Sequence, residues 1–302
     1  MKKLILGLVL ILVILSSSFA FAVVAEARGK SKTWIVSKDG TGDFVAIQPA
    51  LDVAKNGDIV YVKVGIYNEH LTVTKTLQLK GENRETVIID GGNSEPAEVV
   101  LLKADKILIS GFTIKNARSG GSAIWVDGYN FITISNNIIE YNGDGIRIIR
   151  SHGNLIKGNI IQNNPYTAVG FNWAYDNIIR NNRIENNYIG IGGGFEPCYG
   201  NVFFENTIAN NGKGIEIDFS NGKFYHNNII NNGIQVNIYT STFSISWDNG
   251  YPSGGNYWSD YVGVDNYRGK AQNKGKADGI GDTPYVINTK NVDNYPLMQP
   301  FA

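Results

Sequence analysis

The feature that most constrains the fold is a repeat. The pattern Asn-x-Ile-x-x-Asn recurs with first residues Asn137, Asn159, Asn182, Asn206 and Asn227, at spacings of 22, 23, 24 and 21 residues. Each unit runs on into a short alternating segment: Gly145-Ile146-Arg147-Ile148, Ala168-Val169-Gly170-Phe171, Gly190-Ile191-Gly192, Gly214-Ile215-Glu216-Ile217 and Gly233-Ile234-Gln235-Val236. Period-2 alternation of Ile and Val turns one apolar face inward. No unit carries a 3.6-residue period over ten or more positions, which excludes helical solenoids, and the spaced leucines of leucine-rich repeats are missing. The remaining solution is a parallel β-solenoid, an all-β coil whose turns of roughly 22 residues stack about 4.8 Å apart. Of the 36 asparagines, 24 lie between Asn130 and Asn237. At equivalent corners they can bond along the stack as a ladder, and Asn and Gly tolerate the left-handed backbone of tight corners.

The register continues upstream, without the asparagines, through Ile107–Ile114 and Leu77–Gly81. Ahead of it, Gly40–Ala54 reads as a capping helix near 44–55, with Asp43 near its N-cap and Gly57 beyond its end, followed by a strand at Asp58–Val62. Such a helix would cover strand edges that otherwise recruit other chains. From Trp247 onward Trp, Tyr, Gly and Asp replace the repeat. The expected organisation is a signal peptide over 1–27, a β-helix over 28–240 and a C-terminal cap over 241–302.

Met1-Lys2-Lys3, the apolar run Leu4–Ile14 and a small-residue zone ending Ala20-Phe21-Ala22 are the three parts of a secretory signal. They predict a secreted or cell-surface protein, periplasmic in a Gram-negative cell, with membrane contact only through an uncleaved anchor. Twenty-seven acidic side chains balance 27 basic ones, which removes the electrostatic footprint of a nucleic-acid binder. Cys198 is the only cysteine, so no internal disulfide forms and packing alone holds the fold.

Several segments carry a family resemblance. Gly40-x-Gly-Asp-Phe-x-x-Ile-Gln-x-Ala-Leu-Asp-x-Ala, then Gly57-Asp58 and Gly65-Ile66-Tyr67-x-Glu69, resemble the opening of right-handed parallel β-helix proteins of the pectinesterase and NosD type, within the pectin-lyase-like group, which implies a single-stranded right-handed parallel β-helix. The asparagine coils are similar to repeats of the carbohydrate-binding and sugar-hydrolase group. Gly254–Tyr261, Asp278–Tyr285 and Asp293–Leu297 resemble the C-terminal segment of NosD-like surface proteins of archaea. The resemblance spans nearly the whole chain beyond the signal.

That resemblance implies substrates lying along the outward face of one parallel sheet. Stacking the repeat strands aligns Trp125, Arg147, Gly170, Gly192, Glu216 and Gln235 as one outward column, and Asp127, Ile149, Asn172, Gly194, Asp218 and Asn237 as the next. Bare Gly170 and Gly192 would leave a trough, ringed by Trp125, Phe171, Trp173, Tyr175 and Phe195, with Arg147 on one side and Glu216 and Asp218 on the other. Aromatic platforms beside charged groups suit a polysaccharide or cell-surface glycan. A lyase or glycoside hydrolase would need an acid and a base, from Glu216 with Asp218 or from Asp127 with Asp144, with Arg147 assisting. His152 reads as a turn residue. The alternatives are a non-catalytic scaffold module of the cell surface and, from the NosD resemblance, an accessory factor for periplasmic metalloenzyme maturation. Copper would need His, Met or Cys ligands, against which stand three scattered His, one Cys and an almost Met-free chain. Asp260, Asp265, Asp278 and Asp282 gather oxygen ligands around glycine turns, a pattern suited to a stabilising Ca²⁺ in the C-terminal cap.

Overall fold

The computed structural model describes residues 31–193, 197–219, 221–239 and 245–302; the expected signal and Phe195 lie outside them. The chain winds through three parallel sheets, visited in turn by every coil. Sheet 1 has nine strands from Thr33–Val36 to Gly222–Tyr225. Sheet 2 has nine, from Gly65–Tyr67 to Tyr257–Trp258, and sheet 3 has eight, from Leu71–Val73 to Ile234–Ile238. This is the right-handed parallel β-helix that the repeat and the family resemblance together imply.

The inward residues of successive coils lie directly above one another. In sheet 1, Ile109 pairs with Ile134, Ile134 with Ile156, Ile156 with Ile179 and Ile179 with Phe203. In sheet 2 the column runs Ile114, Ile139, Ile161, Ile184, Ile208 and Ile229. All are fully buried, and each such side chain contributes about 2–3 kcal/mol of transfer free energy.

At the corners, two asparagine roles prove to belong to different residues. Asn136, Asn163, Asn181, Asn186, Asn210 and Asn231 hold the left-handed turn, with φ between 50° and 56°. The residue immediately after each forms the ladder, and all of these but the half-buried Asn232 are buried. Between sheets 1 and 2 the ladder runs Asn137, Asn159, Asn182, Asn206, Asn227 and Asn256, each side-chain oxygen accepting from the backbone N and Nδ2 of the asparagine before it. Between sheets 2 and 3 it runs Asn142, Asn164, Asn187, Asn211 and Asn232. A third ladder, Asn154, Asn177 and Asn201, between sheets 3 and 1, falls outside the Asn-x-Ile-x-x-Asn pattern. The ladders satisfy buried backbone N–H groups where each coil leaves one sheet for the next.

The N-terminal helix α1, Ile47–Val53, is shorter than the sequence implied, and Asp43 does not cap it. Phe44 instead makes a parallel bridge with Val36, and Asp43 accepts the backbone N–H of Ile35 at 2.8 Å. The cap comes from Glu69, whose carboxylate accepts from Ile47 N (2.9 and 3.0 Å) and Gln48 N (2.9 Å). A carboxylate at the first turn serves free N–H groups and the helix dipole together, whichever part of the chain supplies it. At the other end Tyr257–Trp258 pair with Asn228 and Ile229, so sheet 2 continues beyond residue 240, where the repeat pattern stops.

Candidate functional site

Sheet 3 carries the predicted outward column. Trp125 pairs with Arg147, Arg147 with Gly170, Gly170 with Gly192 and Gly192 with Glu216. The next partner of Glu216 is Asn237, not Gln235: the last strand is shifted by two residues relative to the sequence alignment. Asn237 Nδ2 consequently donates to Glu216 Oε1 at 3.0 Å. Gln235 turns to Asn232 and to Ser259 of the C-terminal segment.

The glycines do not leave a trough. Gly170 and Gly192 are both buried, and a Cβ on Gly170 would lie 2.9 Å from Cδ and Nη1 of Arg147. The Arg147 side chain therefore lies flat across the next rung, 3.8 Å from Asp144, and glycine is what lets it do so. Over Gly192 the space is taken by Thr167 Cγ2 at 2.8 Å.

The carboxylates are engaged as well. Glu216 is 5% exposed and is ion-paired with Lys213. Burial pushes its carboxyl up, but the bonds from Lys213, Tyr239 and Asn237 outweigh burial and hold it below the usual carboxylate range. Such a group does not supply a proton at neutral pH. Asp144 faces Arg147, and Asp127 is ion-paired with Arg150. In the ladder Asp144 stands opposite Ser122 while Asp127 stands opposite Ile149, five residues along the strand, so their backbones are about 16 Å apart. That exceeds the separation of a glycosidase pair. Trp125 and Glu216 are four rungs apart, about 19 Å, so the charged and aromatic residues form a strip rather than one pocket.

Phe171 belongs to the core, 1% exposed and packed edge-on to Phe203 and Phe219. Tyr175 leaves the sheet for the corner, where His152 covers one ring face (5.3 Å between centroids) and Tyr199 the other (4.9 Å). With both faces occupied it offers no platform to a sugar. His152 is part of this stack, with Phe131 edge-on to it. Trp173 is 46% exposed at the same turn, its backbone in the left-handed region.

Trp125 stands in a real concavity. Glu98, Leu101, Leu102, Lys103, Trp125, Asp127 and Tyr129 line a cavity of about 410 Å³ on the outer face of sheet 3. Asp127 Oδ2 is held by Arg150, whereas Asp127 Oδ1 is buried without a hydrogen-bond partner. An aromatic ring, an unspent acceptor and flanking charges of both signs thus share one recess. Glu98, Lys103 and Tyr129 had no signal in the repeat, because their coils precede the asparagine units and only the pairing of Leu101 with Trp125 brings them together.

The four cap carboxylates do not converge. Asp260 accepts from the Tyr285 hydroxyl, Asp265 from Asp278 N and Gly279 N, Asp278 from Gly269 N and Ile280 N, and Asp282 from Asn266 N and Tyr267 N. Among the described residues no three His, Cys, Asp or Glu side chains come together in a metal-binding group.

Three-sheet coils closed by asparagine ladders, with a recess on the outer face of one sheet, define a parallel β-helix protein of the pectin-lyase-like class. The family described as "Periplasmic copper-binding protein (NosD)" matches residues 52–263, and the chain belongs to it. A cell surface glycoprotein of Methanothermus fervidus is 33% identical over 173 residues, 46% of this chain and 28% of that protein. Probable pectinesterase/pectinesterase inhibitor 17 of Arabidopsis thaliana is 38% identical over 63 residues, 20% of this chain and 12% of the relative. The chain thus spans less than a third of either protein. Among solved structures, XylC in complex with xylose superposes with a TM-score of 0.58 at 14% identity, covering 88% of this chain and 73% of that one. Pectin methylesterase from Aspergillus niger gives 0.53 at 12% identity, over 78% and 92%. At these identities the likeness is one of fold.

The copper in the family's description does not fit the donors here. His70 bonds the carbonyls of Glu98 and Gly91, His226 bonds Ser253, and His152 is stacked in the corner. Cys198 is buried, and burial pushes its thiol up, away from the thiolate that copper binds.

Proposed function

We propose that this chain is an exported, cell-surface β-helix that binds polysaccharide without cleaving it, seating a sugar ring against Trp125 on the outer face of sheet 3. The observation that carries this reading is the unpartnered Asp127 Oδ1 beside a partly exposed indole in the same recess. A pyranose stacks its C–H face on an aromatic ring while its hydroxyls need acceptors, and Asp127 Oδ1 is such an acceptor. Binding is favoured over cleavage because Glu216, Asp127 and Asp144 each face a cation and Glu216 is held ionised by its partners. The names of the relatives, a cell surface glycoprotein and pectinesterases, agree with a place at the cell envelope and a polysaccharide ligand.

The test is affinity electrophoresis through gels containing xylan, methyl-esterified pectin or other cell-wall polymers, with analysis of released sugars. Retardation by at least one polymer, weakened tenfold or more by Trp125→Ala and by Asp127→Asn, with no released product, is expected. No retardation by any polymer would favour a scaffold role, and released oligosaccharide would return the chain to the enzymes.

A further inference from the structure

We propose a second binding surface, on sheet 1, for an anionic polysaccharide strand. Here the outward column runs Ser135, Lys157, Arg180, Phe204 and Tyr225 on consecutive rungs. Lys157 and Arg180 are directly opposite one another in the ladder, about 4.8 Å apart along the backbone, where like charges destabilise a sheet. Among the described residues neither forms an ion pair. Burial, and after it the charge of Glu205 at the corner one rung beyond Arg180, push the Tyr225 hydroxyl up. By contrast, Arg147, Arg150, Arg183 and Lys213 all face carboxylates.

Arg180 of this pair is held in place rather than left loose. The Arg180 guanidinium lies over the Phe204 ring at 5.9 Å and donates to Asn181 Oδ1 at 3.1 Å. Phe204 in turn stacks on Tyr225, with centroids 5.3 Å apart and planes 3° from parallel. Ser135, Asn136, Lys157, Gly158, Arg180 and Asn181 enclose a recess of about 380 Å³. Two cations on successive rungs, one of them fixed by its neighbours and continued by two parallel rings, match a polymer that presents a negative group at each repeat along its length and sugar edges between them. The face is distinct from the Trp125 recess, which lies on another sheet, and this surface does not depend on that reading.

The experiment uses the Trp125→Ala protein, so that the sheet 3 recess contributes nothing. Gels contain polygalacturonate, dextran sulfate, fully methyl-esterified pectin or unmodified dextran. Retardation by one or both acidic polymers is expected, with no retardation by the neutral pair. Lys157→Gln/Arg180→Gln should weaken it tenfold or more, while Lys55→Gln/Lys290→Gln, the same loss of charge at two exposed positions elsewhere, should leave it within twofold. The polymer retained identifies a carboxylated or a sulfated source. The proposal is overturned by absence of retardation by both acidic polymers, by equal loss in the two double variants, or by a Lys157→Gln/Arg180→Gln protein that binds as before with an unchanged melting temperature.

Discussion

The carboxylate of Asp293 terminates the longest asparagine ladder: its Oδ2 accepts the backbone N–H of Asn256 at 2.7 Å, as each asparagine before it serves its predecessor. The same oxygen accepts Trp258 Nε1 at 2.9 Å, and Oδ1 accepts Tyr295 N at 3.1 Å. The residue is fully buried. Burial outweighs these three donors and pushes the carboxyl up to about 7. The sign of the consequence follows from linkage. Between the unfolded value of 3.8 and about 7 the folded chain holds a proton that the unfolded chain has lost. Stability should therefore fall as pH rises through that window, by roughly 1.4 kcal/mol per unit from this group. Urea denaturation from pH 4.5 to 8 checks it. In Asp293→Asn the slope from this group should vanish; an unchanged slope would mean that other groups set it.

Neighbouring asparagines at one corner should respond oppositely to substitution. Asn181 holds a φ of 51° and no ladder bond, so Asn181→Gly should change stability by less than about 0.5 kcal/mol. Asn182 accepts from Asn159 N and Nδ2 and donates to Ile156 O, Arg180 O and Asn206 Oδ1. Asn182→Ala strands buried polar groups on both adjoining coils, and a cost of about 3 kcal/mol or more is expected in denaturant melts. Similar losses for the two variants would contradict the division of labour.

That division also marks how far the sequence could be read. The two asparagines of Asn-x-Ile-x-x-Asn announce two corners and the period announces the coils, because a solenoid imposes the same demand on every turn. Asn154, Asn177 and Asn201 escaped because they stand five residues ahead of Asn159, Asn182 and Asn206, outside the Asn-x-Ile-x-x-Asn pattern. The candidate site was less legible for the same reason. Arg147 and Gly170 were correctly placed as ladder neighbours, yet that the arginine would lie over the glycine depends on a rotamer, which spacing does not report. Glu69 as the helix cap and Asp293 as the ladder's end are long-range contacts with no local pattern at all.

Two glycines of sheet 3 should differ in what they tolerate. At Gly170 a new methyl meets the flexible end of Arg147, so Gly170→Ala should cost about 1 kcal/mol or less while loosening the Arg147–Asp144 pair. At Gly193, with φ at 136°, a Cβ would lie 2.1 Å from the carbonyl oxygen of Phe171 on the neighbouring strand. Backbone cannot swing aside as a side chain does, and Gly193→Ala should lower stability by several kcal/mol. Melting temperatures of the two variants decide the order.

The C-terminal segment gives the last prediction. Asp-Gly-rich loops attract a calcium reading, but a carboxylate that accepts a backbone N–H on each oxygen is already fastened to another loop and keeps only about half of its acceptor sites for a cation. Asp265 binds Gly279 N at 2.7 Å and Asp282 binds Asn266 N at 2.9 Å, each fastening one loop to another. A melting temperature unchanged between excess chelator and millimolar Ca²⁺ is therefore expected, together with a loss of about 1–2 kcal/mol on Asp282→Ala in either condition. A chelator-induced drop of several degrees, abolished by Asp282→Ala, would instead place an ion among these loops. Because Asp282 and Asp265 pin the loops from opposite sides, the double variant should lose no less than the sum of the two single losses if their work is purely that of hydrogen-bonded clasps.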